Sequence, residues 1–174
     1  MKNSKLFNLF LRYIFILLLG LGELFIIYFI FTPLTVYPVY LILNLFFKTA
    51  LNGIVLTVNN YGISIVEACV AGSAYYLLFI LNFAVPMQAK KRILSLAYSV
   101  FALLILNILR IVILSVMLVN SSVLFDFTHK FFWYFLSTAF VVIIWFSEVK
   151  LFKIKEIPAY SDIKLLMKII SHKN

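Results

Sequence analysis

The sequence predicts an all-α integral membrane protein: a bundle of about four transmembrane helices, with an outer-face interfacial helix and a short β-hairpin or loop ahead of a cysteine-bearing helix. Three observations carry this. The 174 residues are 65% hydrophobic and only 12% charged, with a mean hydropathy of +1.12, far outside the range of soluble domains. Several apolar runs approach or exceed the roughly 20 residues that a helix needs to cross a bilayer. The basic residues fall in short clusters beside those runs, which is how membrane orientation is encoded. The formal charge of +9 therefore points to topology and to anionic lipid headgroups, and no nucleic-acid partner is expected. A single cysteine excludes an intrachain disulfide. No CxxC pair or His/Cys cluster has ligand spacing, so neither a metal nor another cofactor is expected.

Residues 1–156 read as one transmembrane domain. Lys2, Lys5 and Arg12 precede a first crossing near residues 13–31. That run is too long for a signal-peptide core and has no small-residue cleavage site after it, so it is expected to be retained. Glu23 falls near its middle, where a carboxyl group is costly and implies a polar partner inside the bundle. Pro33 and Pro38 break the next segment, and Tyr37 to Leu51 is expected to lie as a helix in the interface with its aromatic residues at headgroup level. Branched residues on both sides of Asn59-Asn60 predict a short hairpin, or an extended loop, between Gly53 and Ile65. The remaining crossings are placed near residues 68–85, 93–119 and 131–146, the second of them longer than a bilayer requires and so tilted or projecting. In residues 157–174, Ile163, Leu166, Met167 and Ile170 recur at helical spacing beside Lys164, Lys168 and Lys173. This is an amphipathic basic tail suited to anionic lipid.

With four crossings, the clusters at Lys2 to Arg12, Lys90 to Arg92 and Lys150 to Lys173 fall on one side, and only Lys48 and Lys130 on the other. The excess of positive charge marks the first side as cytoplasmic. The expected protein is thus a multi-pass cell-membrane protein with both termini cytoplasmic and Cys69 on the outer face.

Cys69 is expected in the first turn of the helix over residues 68–85, where unpaired N–H groups and the positive end of the helix dipole support a nucleophilic thiolate. Alone, a cysteine among alanines in a membrane helix is most often a small, inert packing residue. Arg110 sits inside an apolar run and keeps its charge there. Counted up from Arg92 at the helical rise, it lies about 27 Å higher, near the outer boundary of a hydrocarbon core about 30 Å thick. Asn107 shares its helix face, and His129 opens the last crossing on the same side. Taken singly, Arg110 snorkels to lipid phosphate and His129 is an ordinary interfacial residue. Their coincidence with Cys69 at one depth is what marks a site.

Ala68-Cys69 opening a membrane helix, Asn107-x-x-Arg110 near the outer end of the next and His129 at the start of another resemble the exosortase/archaeosortase family of membrane cysteine transpeptidases. The resemblance spans roughly Gly53 to Phe146. The family's pattern is Ala-Cys-Ser/Thr-Gly. Here the run is Ala68-Cys69-Val70-Ala71-Gly72, so the hydroxyl after the cysteine is absent and the glycine is displaced by one. The resemblance implies Cys69 as nucleophile, Arg110 as electrostatic stabiliser and His129 as acid/base, with Asn107 in support. It also implies a substrate class: secreted proteins whose C-terminal sorting tail is cut near the outer surface, the protein then passing to a lipid-linked or other amine acceptor. The rival expectation is a noncatalytic small transporter or assembly subunit, held together by a buried Glu23/Arg110 pair and indifferent to replacement of Cys69.

Overall fold

The computed structural model describes residues 2–21, 24–158 and 160–171, and along these the chain is mostly helical with one small sheet. Helix α1 (Lys2–Gly20) ends on a glycine, and a left-handed Leu24 (φ 63°) precedes α2 (Phe25–Asn44). The single helix expected over residues 13–31 is therefore divided in two. Gly20 also lets the Tyr76 ring pack directly on the backbone, and the Tyr76 hydroxyl donates to the Ile16 carbonyl at 3.1 Å. Glu23 lies outside the described residues.

Pro33 and Pro38, expected to break the chain, lie inside α2. Each lacks an N–H and leaves the carbonyl four residues earlier without its helical donor, a defect that helices of membrane proteins tolerate. The packing explains why the helix persists: Ile27, Phe31, Thr35, Val39 and Leu43 form a buried stripe at four-residue spacing, and the Phe31 ring stacks on Tyr75 with centroids 3.9 Å apart. The interfacial helix expected over Tyr37 to Leu51 is corrected accordingly. Its first half is the end of α2, and its last residues belong to a strand.

That strand, β1 (Thr49–Asn52), joins β2 (Val55–Val58) and β3 (Tyr61–Ser64) in an antiparallel meander of order β1-β2-β3. Both turns have two residues, Gly53-Ile54 and Asn59-Asn60, and each places its first residue at positive φ (62° and 52°), which glycine and asparagine accept at little cost. The hairpin expected around Asn59-Asn60 is present, with β1 added on its far side. Leu56 and Val58 point into the core and Val55 and Thr57 outward, the two-residue period of a half-buried strand.

After a short α3 (Glu67–Val70) come α4 (Gly72–Phe83) and α5 (Ala89–Val119). At 31 residues, α5 is about 46 Å long, and it packs against α2, α4 and α7. Its buried residues are Ser95, Ser99, Leu103, Asn107, Ile108, Arg110, Ile111 and Ser115, so five polar side chains are interleaved with three apolar ones along its inward face. The last long helix is α6 (Phe125–Phe131) and α7 (Ser137–Leu151), joined by one π-helical turn, Phe132–Leu136. Three helical stretches among the described residues are long and apolar enough to cross a membrane: Phe25–Asn44, Ala89–Val119 and Phe125–Leu151. Leu6–Gly20 and Gly72–Phe83 are apolar but shorter, so the spans expected near 13–31 and 68–85 differ most from the observed ones. In the basic tail, α8 (Tyr160–Ser171) is docked by Asp162, which accepts from Arg12 at 2.5 Å and from the Tyr13 hydroxyl at 3.1 Å.

Candidate functional site

Cys69 is half-buried in α3, its N–H donating to the Val66 carbonyl at 2.8 Å. It does not lie in the first turn of a long helix, as the sequence predicts. Ala71 takes a left-handed conformation (φ 62°, ψ 39°) and divides α3 from α4. For an L-residue this costs about 1–2 kcal/mol, and it falls on the position where the family pattern has glycine. Gly72, one residue on, serves packing: a Cβ there would come within 2.5–2.6 Å of ring carbons of Tyr28. The sign of one substitution tests this break. Ala71→Gly is expected to raise stability by about 1 kcal/mol, read as a higher midpoint in detergent-induced unfolding. In an unbroken helix the same change would cost about 1 kcal/mol.

Asn107 is fully buried, and its Nδ2 donates to the backbone carbonyl of Cys69 at 2.8 Å. The sequence pairs it with Arg110 on one helix face. The structure shows that its reach across to α3 is what fixes the cysteine's turn against α5. Arg110 is 4% exposed. Its Nη1 donates to the Ser137 hydroxyl at 3.1 Å, which in turn donates to the Phe132 carbonyl at 3.0 Å, so the π-helical turn orients the guanidinium. Its Nε has no partner among the described residues. His129 is exposed, in the last turn of α6, with its ring parallel to Phe125 at 5.7 Å between centroids. Cys69, Arg110 and His129, from α3, α5 and α6, border one cavity of about 140 Å³, with Ser64 of β3 and Ser115 of α5 on its wall. Ser137 and Ser64 join the site without having been singled out in the sequence. Nothing in their spacing marks them, since a π-helical turn and a strand register bring them in.

A larger cavity of about 830 Å³ is bordered by Arg12, Phe83, Arg92 and Asp162, about 27 Å down α5 from Arg110. Its guanidiniums are engaged: Arg12 with Asp162 and the Phe83 carbonyl, Arg92 with the Val85 carbonyl and the Phe83 ring. It is the seam on which α8 sits. A second polar cluster is wholly buried. Glu148 of α7 accepts from Ser95 and Ser99 of α5, beside the buried Asn82 of α4. It ties three helices together below the small cavity. In sequence Glu148 reads as the polar end of a crossing, and only the four-residue spacing of Ser95 and Ser99 hints at an inward polar face.

Among the described residues no group of three or more His, Cys, Asp or Glu side chains is placed to hold a metal ion. Comparison with known protein families, curated proteins and solved structures finds no match for this chain.

Proposed function

We propose that the chain is a membrane-embedded sortase-like cysteine transpeptidase of the exosortase/archaeosortase type. It would cut a C-terminal sorting tail at the outer face of the cell membrane and transfer the protein to a lipid-linked or other amine acceptor. The observation that carries this reading is the meeting of Cys69, Arg110 and His129 at one small cavity from three separate elements. The basic clusters support an orientation with Lys90 to Arg92 cytoplasmic, four passages of the chain through the bilayer, both termini inside and the cavity at the outer boundary.

The chemistry closes with these residues. The Cys69 thiol gives its proton to His129, and the sulfur attacks the scissile carbonyl carbon. N–H groups of Arg110 hold the negative oxygen of the tetrahedral intermediate. His129 returns the proton to the leaving nitrogen as the C–N bond breaks, which leaves a thioester on Cys69 and frees the tail. The acceptor amine then loses a proton to His129, attacks the thioester and releases the sulfur. Asn107 positions the Cys69 turn without touching the reacting atoms.

Withholding the amine acceptor should stall this cycle at the thioester, whose formation needs Cys69 and His129 but whose release needs the acceptor. With the wild-type protein and a tagged tail-bearing substrate in membranes depleted of acceptor, a thioester-linked adduct of the two proteins is expected on gels, removed by hydroxylamine and absent in both Cys69→Ala and His129→Ala. Unaltered tail removal in the Cys69→Ala variant would defeat the proposal.

A further inference from the structure

We propose that the free edge of β3 receives the substrate as an added strand: an extended peptide whose backbone pairs with Gly62 and Ser64 and whose scissile carbonyl is thereby delivered to Cys69. This rests on the reading of Cys69 as a nucleophile and adds how its substrate is held.

The strand register identifies the groups on offer. The two-residue turn at Asn59-Asn60 makes Val58 and Tyr61 the closing pair, which exchange both hydrogen bonds. Alternation makes Leu56 and Ile63 the next bonded pair, and the Ile65 N–H continues it to the Ile54 carbonyl at 2.9 Å. Gly62 and Ser64 therefore turn their N–H and C=O groups away from β2. Both residues are exposed, and β3 pairs on one side only. At the opposite edge of the sheet, β1 packs against α2.

The edge also leads to the nucleophile. Ser64 borders the small cavity together with Cys69, Arg110 and His129. A neighbouring cavity of about 320 Å³ borders Tyr61 at the other end of β3, and Leu118 and Phe125 border both. A groove thus follows β3 from Tyr61 to Ser64, with the end of α5 and the start of α6 as its far wall. Tyr61 and Ser121 bridge it at its outer end through their hydroxyls, 3.1 Å apart. An acyl chain in this groove would cover unpaired N–H and C=O groups without satisfying them, which is costly away from water. An extended peptide satisfies them through its own main chain and leaves side-chain choice to the pockets, the usual logic of strand addition.

The test uses the full-length protein in lipid nanodiscs and acetylated pentapeptide aldehydes as probes. The aldehyde carbon bonds to the Cys69 sulfur while the thiol proton passes to the carbonyl oxygen, and binding is read as protection of Cys69 from a maleimide. Single backbone N-methylations are then walked along the peptide. Losses of at least about tenfold at alternate positions, with the intervening ones unaffected, are expected, because only every second residue of a strand faces its neighbour. Gly62→Pro and Ser64→Pro, which delete edge donors outside the β2 ladder, should weaken protection similarly. A flat N-methyl profile, or protection by octanal as strong as by the peptides, would overturn strand addition. Either result with tail cutting still dependent on Cys69 removes the docking mode alone. Tail cutting that no longer needs Cys69 removes the transpeptidase reading itself.

Discussion

Cys69→Ser is expected to accumulate in the membrane at the wild-type level and to leave the sorting tail uncut, with processing reduced at least about a thousandfold. The substitution exchanges one small atom at a half-buried position, leaves the backbone carbonyl that Asn107 holds, and so should not disturb the turn. What changes is the nucleophile. A serine hydroxyl has no comparable anionic fraction near neutral pH, and among the described residues bordering the cavity His129 is the one side chain that can act as a base. Quantitative recovery of cut and uncut substrate from cells provides the measurement, with membrane abundance as the control for folding. Because Cys69 is the only cysteine, the same cells report its side of the membrane. A membrane-impermeant maleimide should label the wild type from outside and Cys69→Ser not at all. Cutting by Cys69→Ser at more than a tenth of the wild-type rate would mean that sulfur is not the attacking atom.

The fold is legible in the sequence where periodicity and charge act over many residues. Ala89–Val119 announces itself by an apolar run that no loop would carry, and the hairpin at Asn59-Asn60 by branched residues flanking two asparagines that accept a left-handed turn. The fold is not legible where one local conformation overrides a run. The left-handed Leu24 ahead of α2 divides an apolar stretch that composition alone makes continuous, and Ala71 does the same beside Cys69 although alanine is the best helix former. Pro33 and Pro38 show the converse: they signal a break in sequence, yet surrounding apolar packing holds α2 through both. For the site, a constant helical rise counted from Arg92 to Arg110 and from Lys90 to Cys69 puts both in one layer, and His129 falls on the same side because it opens the last crossing. The contacts within that layer were not legible. That Asn107 would grip the Cys69 carbonyl and Arg110 the Ser137 hydroxyl depends on helix rotation and on the π-helical turn, neither of which spacing encodes.

Arg110 separates the two functional readings most sharply, because they predict opposite balances of stability and activity. In the transpeptidase its guanidinium is spent on a charge that appears only in the transition state. Arg110→Lys keeps a positive charge but replaces a planar fork of donors by a flexible ammonium, and it cannot both reach Ser137 and present a second donor to the cavity. Its turnover is expected to fall about 10²–10³-fold, close to that of Arg110→Ala, with little change in KM. Arg110→Met goes further. It fills the same volume without a charge, and because no carboxylate pairs with Arg110 among the described residues, removing this buried charge is neutral or stabilising. The methionine variant should therefore unfold no more easily than wild type in detergent titration while cutting no tail. If Arg110 instead held the bundle together through an ion pair with Glu23, the methionine would strand that carboxylate and cost about 3–5 kcal/mol, and Glu23→Gln combined with it would recover most of the loss. Unfolding midpoints of Arg110→Met, Glu23→Gln and the double variant, measured beside tail cutting, decide between them. A stable, inactive methionine variant is the result the cavity geometry predicts, and a destabilised one that Glu23→Gln rescues would assign Arg110 to structure.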